Sequence, residues 1–129
     1  MKHLFLTTIG KTISVISKTL QKGNGSTWPG HIALSLHKNF VRDIFRNAPT
    51  QVILVIGTNG KTTTAKMLTT ILRENGYSVF QNTSGANLLN GIASATLLHT
   101  NIFGKLTADF AVFEVDENNV PFVLQEITP

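Results

Sequence analysis

A chain of 129 residues, 42% apolar and 14% charged, can bury one modest hydrophobic core and has no compositional reason to stay disordered. It contains no cysteine, which excludes disulfides and thiolate-held metal from this stretch and agrees with a cytoplasmic protein. The net charge of +4 is unevenly placed: residues 1–50 carry seven Lys or Arg against Asp43 alone, and the rest carries four against six acids. Such a basic segment suits an anionic membrane surface, nucleic acid or an acidic partner, or is simply a solvated face.

Within residues 1–20, Leu4, Phe5, Ile9, Ile13, Ile16 and Leu20 recur at steps of three or four, the pattern of an amphipathic helix. Lys11 and Lys18 interrupt the apolar stretch, so it is neither the apolar centre of a secretory signal nor close to the roughly 18 consecutive apolar residues of a membrane span. The stripe suits docking onto the rest of the protein or onto a lipid interface. Residues 23–26 form a break, and Trp28, Pro29 and Gly30 read as a turn. A helical period resumes over residues 31–45 through Ile32, Leu36, Phe40, Ile44 and Phe45, with Asn39 a dividing point and Pro49 a stop. Residues 1–49 therefore read as a basic helical appendage, and residues 50–129 as the main domain.

Residues 52–56 are an unbroken apolar run, the mark of a strand buried on both faces in a parallel sheet. A helix is predicted over residues 61–75, with Ala65, Leu68, Ile71 and Leu72 inward and Gly76 as its left-handed terminator. A short strand follows at 78–81, a polar glycine-containing loop at 82–90, a helix at 91–99 and a loop at 100–107. A third strand at 110–115 ends in the acidic pair Asp116 and Glu117, and a last helix at 118–127 carries Pro121 in its first turn. This alternation predicts an α/β fold around a three-stranded parallel sheet with helices on both faces.

Between the first strand and its helix lies GTNGKTTT, residues 57–64. A glycine-rich turn leading into a helix aims backbone N–H groups and the positive end of the helix dipole at phosphate oxygens. Gly57, Thr58, Asn59 and Gly60 form the turn, Lys61 adds a full positive charge, and Thr62 offers a hydroxyl suited to Mg²⁺, with Thr63 beside it. The glycine spacing is shorter than in the common phosphate-loop template, yet Gly60, Lys61 and Thr62 keep its contiguous end. Glu114, near the carboxyl end of the third strand, is the carboxylate best placed to share Mg²⁺ with Thr62, and Asp116 on the same strand face is the alternative ligand. Asp116 and Glu117 also suit the N-terminus of the last helix, where they would cap it. His3, His31, His37 and His99 are scattered, with no metal-ligand spacing.

GTNGKTTT, with NTSGANLLNGIA at 82–93 and FEVDE at 113–117, resembles the central ATPase domain of Mur ligases. The stretch GNGSTWPGHIALSLHKNFVRDI and the basic helix before it are similar to the MurT branch, the ligase-like subunits of lipid II isoglutaminyl synthase. That resemblance implies a parallel, three-layer, P-loop-type domain behind a helical amino-terminal appendage. It further implies a cytoplasmic, ATP- and Mg²⁺-dependent ligase that activates the D-isoglutamate α-carboxyl of lipid II as an acyl phosphate for amidation. A GatD-type glutamine amidotransferase subunit would supply ammonia, lipid II would be met at the inner membrane face, and nucleic acid would have no part. Carried onto this sequence, Gly57–Gly60, Lys61, Thr62 and Thr63 hold the ATP phosphates, with Lys61 acting on the transferring one; Thr62 and Glu114 bind Mg²⁺, and Thr83 and Asn87 face the substrate. Zinc, adenine contacts and the carboxyl-terminal domain would belong to sequence beyond Pro129, so the chain reads as an amino-terminal fragment that alone turns over little or no ATP. An amino-acid ligase of the Mur or folylpolyglutamate-synthase type, and a non-catalytic nucleotide-binding fragment, are the competing readings.

Overall fold

The computed structural model describes residues 27–82, 86–101 and 103–129. The amphipathic pattern of residues 1–20 and the substrate-side candidate Thr83 lie outside the described residues. The elements in chain order are α1 (Trp28–Leu36), α2 (Phe40–Arg46), β1 (Gln51–Ile56), α3 (Lys61–Glu74), β2 (Val79–Gln81), α4 (Leu89–His99), β3 (Phe110–Val115), a 3-10 turn (Glu117–Asn119) and α5 (Val120–Glu126). The three strands form one parallel sheet in the order β1-β3-β2, so the last strand in sequence is the central one.

Strand alternation divides the core. Val52, Phe80, Ala111, Phe113 and Val115 meet residues of α1, α2, α4 and α5 in one cluster, whereas Val55, Val79 and Val112 meet Ala65, Leu68 and Leu72 of α3 in a second. In the first, Phe113 contacts Phe45 and Phe80 edge-on at centroid distances of 6.0 and 5.7 Å, and Phe80 stacks on His99 at 4.5 Å. Phe40, Val41 and Ile44 of α2 are buried in the same cluster, so the helices of residues 28–46 share a core with the sheet.

Two local expectations are corrected. Trp28, Pro29 and Gly30 are the first turn of α1, not a turn before it: proline near the start of a helix loses no intrahelical hydrogen bond, and the glycine serves close packing. On α3 the inward residues are Ala65, Leu68, Thr69 and Leu72, one i, i+3, i+4, i+7 stripe; Ile71 falls off that stripe and is 56% exposed. Buried Thr69 instead donates its hydroxyl to Gln81 Oε1 at 3.1 Å, tying α3 to the end of β2.

Gly30 sets how closely α1 approaches α4. A Cβ at this position would lie 1.9 Å from the Asn90 carbonyl oxygen and 2.7 Å from Ser94, and the Gly30 N–H donates to Ser94 Oγ at 2.7 Å. Gly30→Ala should lower stability by about 1–3 kcal/mol, because overpacking against backbone outweighs the gain of about 1 kcal/mol that alanine normally brings to a helix. A denaturant titration reads it, and a variant as stable as the parent would mean that the two helices are not in this contact.

The amino ends of all three strands meet at Asp109. Its carboxylate accepts from the Ser78 hydroxyl at 2.7 Å and the Ser78 N–H at 2.8 Å, and its carbonyl accepts from Gln51 N–H at 2.9 Å. The Ser78 hydroxyl, then the Ser78 N–H, hold this carboxyl below the usual aspartate range. A carboxyl with a lowered folded pKa contributes stability above its unfolded pKa, about 3.9, and loses that contribution as pH falls through the folded value. Below about pH 4, the parent is therefore expected to lose stability more steeply than Asp109→Asn; parallel acid-denaturation curves would contradict this.

Candidate functional site

β1 and β3 are adjacent and parallel, with Val55 opposite Glu114 and Ile56 opposite Val115, so they end together at one edge of the sheet. The chain leaving β1 turns across that edge. Gly57 and Gly60 carry φ of 154° and 79°, conformations that side chains oppose, and Gly60 in the left-handed region is the N-cap of α3. A Cβ on Gly60 would meet nothing within 4 Å, so backbone angle rather than space demands glycine there. No side chain caps α3 at this position, which leaves its N-terminal turn facing the cleft, where anions are favoured.

Three acids at the end of β3 lace onto this turn. Thr62 Oγ1 donates to Glu114 Oε2 at 2.7 Å, Lys61 Nζ lies 3.1 Å from Asp116 Oδ1, and Thr58 Oγ1 donates to Glu117 Oε1 at 3.0 Å. Lys61 Nζ also donates to the Gly57 carbonyl at 2.6 Å, folding its charge back over the turn. Asp116 and Glu117 thus bond to the turn, and no side-chain bond from Asp116 caps the helical turn that follows it. The cleft, about 350 Å³, is lined by Thr58, Asn59, Gly60, Lys61, Thr62 and Thr63 together with Asn87 and Glu114. Every Mg²⁺ candidate named from the sequence except Asp116 lines it, and the Asn87 carbonyl accepts a long 3.4 Å bond from Asp116 N–H. Larger clefts of about 480 and 420 Å³ lie beside α2, and one of about 380 Å³ lies on the exposed side of α3 at Met67 and Ile71; none of the three is lined by the glycine turn.

Glu114 is 3% exposed. The Thr62 hydroxyl and the Glu114 carboxylate supply only hard oxygen donors on the cleft wall, the donor chemistry that Mg²⁺ takes alongside phosphate and water. Among the described residues no three His, Cys, Asp or Glu gather as a metal-binding group. A Mg²⁺ that keeps its waters needs only one or two protein carboxylates, so the donors present fit it.

Two functional contacts escaped the sequence reading. Glu117 reads there as a helix-terminus charge, and its partnership with Thr58 depends on the turn crossing the strand end. Asn82 reads as the first residue of a polar loop, yet it is fully buried and bonded to Glu114. Its only signal is a side chain with both donor and acceptor directly after a short strand.

Residues 55–125 match the Mur ligase middle domain. The chain is similar to subunit MurT of lipid II isoglutaminyl synthase (glutamine-hydrolyzing) from Streptococcus pneumoniae (strain ATCC BAA-255 / R6), with 37% identity over 107 residues, 83% of this chain and 23% of that protein. It is also similar to the subunit of the same name from Staphylococcus aureus (strain COL), with 34% identity over 105 residues, 81% of this chain and 23% of the relative. The chain thus spans about a quarter of the length of these relatives.

A phosphate entering the cleft would compete with the Asp116 carboxylate for the charge of Lys61. Asp116 is 41% exposed, so the pair is worth about 0.2–1 kcal/mol, and Asp116→Asn should tighten Mg²⁺-free binding of ADP roughly two- to fivefold. Calorimetry with and without Mg²⁺ separates the roles: if Asp116 is instead a metal ligand, the variant weakens Mg²⁺-dependent binding and leaves the Mg²⁺-free affinity unchanged.

Proposed function

Because the chain belongs to the Mur ligase family, we propose that it carries the ATP-activating turn of an ATP-dependent carbon–nitrogen ligase subunit that modifies lipid II, a peptidoglycan precursor. The observation carrying this reading is the convergence at one cleft of an uncapped helix N-terminus, Lys61 and the Thr62–Glu114 pair. A phosphoryl-transfer site needs positioning and charge stabilisation more than a protein nucleophile, and these groups provide both.

In this proposal the domain is of the P-loop type with three layers. The Gly57–Gly60 turn and the first N–H groups of α3 hold the ATP phosphates, and Lys61 leaves Asp116 to offset charge on the transferring phosphoryl group. Thr62 and Glu114 would hold Mg²⁺, which when bound neutralises phosphate charge. Asn87, across the cleft from the turn, faces the acceptor. The D-isoglutamate α-carboxylate attacks the γ-phosphorus and ADP leaves, giving an acyl phosphate; ammonia then attacks the carbonyl carbon, phosphate departs and an amide forms. A GatD-type amidotransferase subunit releases the ammonia from glutamine. The names of the relatives, which specify lipid II and glutamine hydrolysis, support this branch over an amino-acid ligase.

The substrate is anchored in a membrane, and we propose a cytoplasmic protein working at the inner membrane face. Among the described residues no helix is long and apolar enough to cross a membrane.

In the full-length protein with its partner subunit, Lys61→Ala should lower turnover about a thousandfold, the range for losing a preorganised charge contact at a reacting centre. Amidation of lipid II at the parental rate by this variant would sink the assigned role.

A further inference from the structure

β2 stops at Gln81, paired with Val112, so the backbone ladder on that side of β3 ends two residues before Glu114. The N–H and C=O of one strand residue point to the same side, and those of Glu114 point to the side β2 has vacated. The Asn82 side chain takes the place of the missing rung. Its Oδ1 accepts from Glu114 N–H at 2.9 Å, and its Nδ2 donates to the Glu114 carbonyl at 2.9 Å and the Ala86 carbonyl at 2.8 Å. The amide is fully buried and bonded on both its polar atoms.

We propose that Asn82 is a positioning residue: by gripping both peptide groups of Glu114 it sets the carboxylate against Thr62 and couples it to the loop segment that carries Asn87. This rests on the reading of Thr62 and Glu114 as the Mg²⁺ ligands. The grip works because two bonds to one residue's N–H and C=O stop it pivoting about the strand axis, which is the rotation that would swing the carboxylate away from Thr62. The buried hydroxyls of α4 bond away from Glu114: Thr96 donates to Ile92 of its own helix, and Ser94 accepts from Gly30 of α1. The third bond, to Ala86, fixes the backbone next to Asn87 and opposite Gly91, where a Cβ would lie 2.0 Å from the Ala86 oxygen. Both walls of the cleft across from the phosphate turn therefore take their position from one amide.

The test is Mg²⁺ titration of the full chain with saturating ADP, followed by calorimetry, for the parent, Asn82→Ala and Asn82→Asp. The aspartate variant keeps an acceptor for Glu114 N–H and loses both donations. Each variant should need about 10- to 100-fold more Mg²⁺ for half-saturation, the usual effect of removing a group that orients a metal ligand, while Mg²⁺-free ADP affinity stays within about twofold. Unchanged Mg²⁺ demand in a folded variant overturns the proposal and leaves the site reading intact. Equal losses with and without Mg²⁺, or failure of both variants to fold, overturn it in favour of a purely structural amide. A parent that binds ADP with no Mg²⁺ dependence refutes the Thr62–Glu114 reading itself.

Discussion

A nearly buried carboxylate at the end of the central strand organises this molecule. Removing Glu114 from water is costly unless its polar groups find partners, and two elements distant in sequence provide them: Thr62 at the head of α3 for the carboxylate and Asn82 after β2 for the peptide. Each partner is itself held. Thr62 stands where Gly60 lets the chain enter a helix, and Asn82 stands where β2 runs out of ladder. The turn, the two outer strands and the central strand are thus joined at one residue, beside the cleft.

The opposite face of the sheet explains why the loop on the far side of the cleft has a defined place. Gly30 brings α1 against the backbone of α4, and Gly91 brings the start of α4 against Ala86. Both are close-approach glycines, since bulk at either one would push α4 outward. Displacing α4 would shift the segment running from Ala86 to Asn87, whose carbonyl also touches Asp116 N–H. Helix packing on one face therefore positions a wall of the cleft at the sheet's edge, which links residues 28–46 to the site without any of them lining it.

Much of the fold was legible because its signals are local. The unbroken run before Gly57 marks a strand, although at the sheet's edge β1 fully buries only Val52 and Val55 and leaves Ile56 exposed; the glycine turn marks a helix entry, and the stripe Ala65, Leu68 and Leu72 marks the inward side of α3. Legibility failed where one residue type serves two purposes. Pro29 and Gly30 suit a turn or a packed helix start, and only the neighbouring helix decides between them. Ile71 suits a core by hydropathy, but the helix period places Thr69 there, with a hydroxyl that Gln81 can accept. In the site, Lys61, Thr62 and Glu114 could be singled out from their positions at a turn and a strand end. The partnerships of Glu117 with Thr58 and Asp116 with Lys61 could not, because they span 59 and 55 residues and have no local signature.

By itself the sequence determined the α/β alternation, the glycine turn between strand and helix, and the family, since backbone preference, hydrophobic period and a contiguous GKT string act over a few residues. Only the tertiary structure decided that β3 inserts between β1 and β2. That order places Glu114 opposite Val55 at the mouth of the turn and leaves its far side to Asn82. Strand order depends on which buried faces fit together across the whole chain. The same short apolar strands could pair in more than one parallel order, and helix packing on both faces selects the one that brings Thr62 to Glu114.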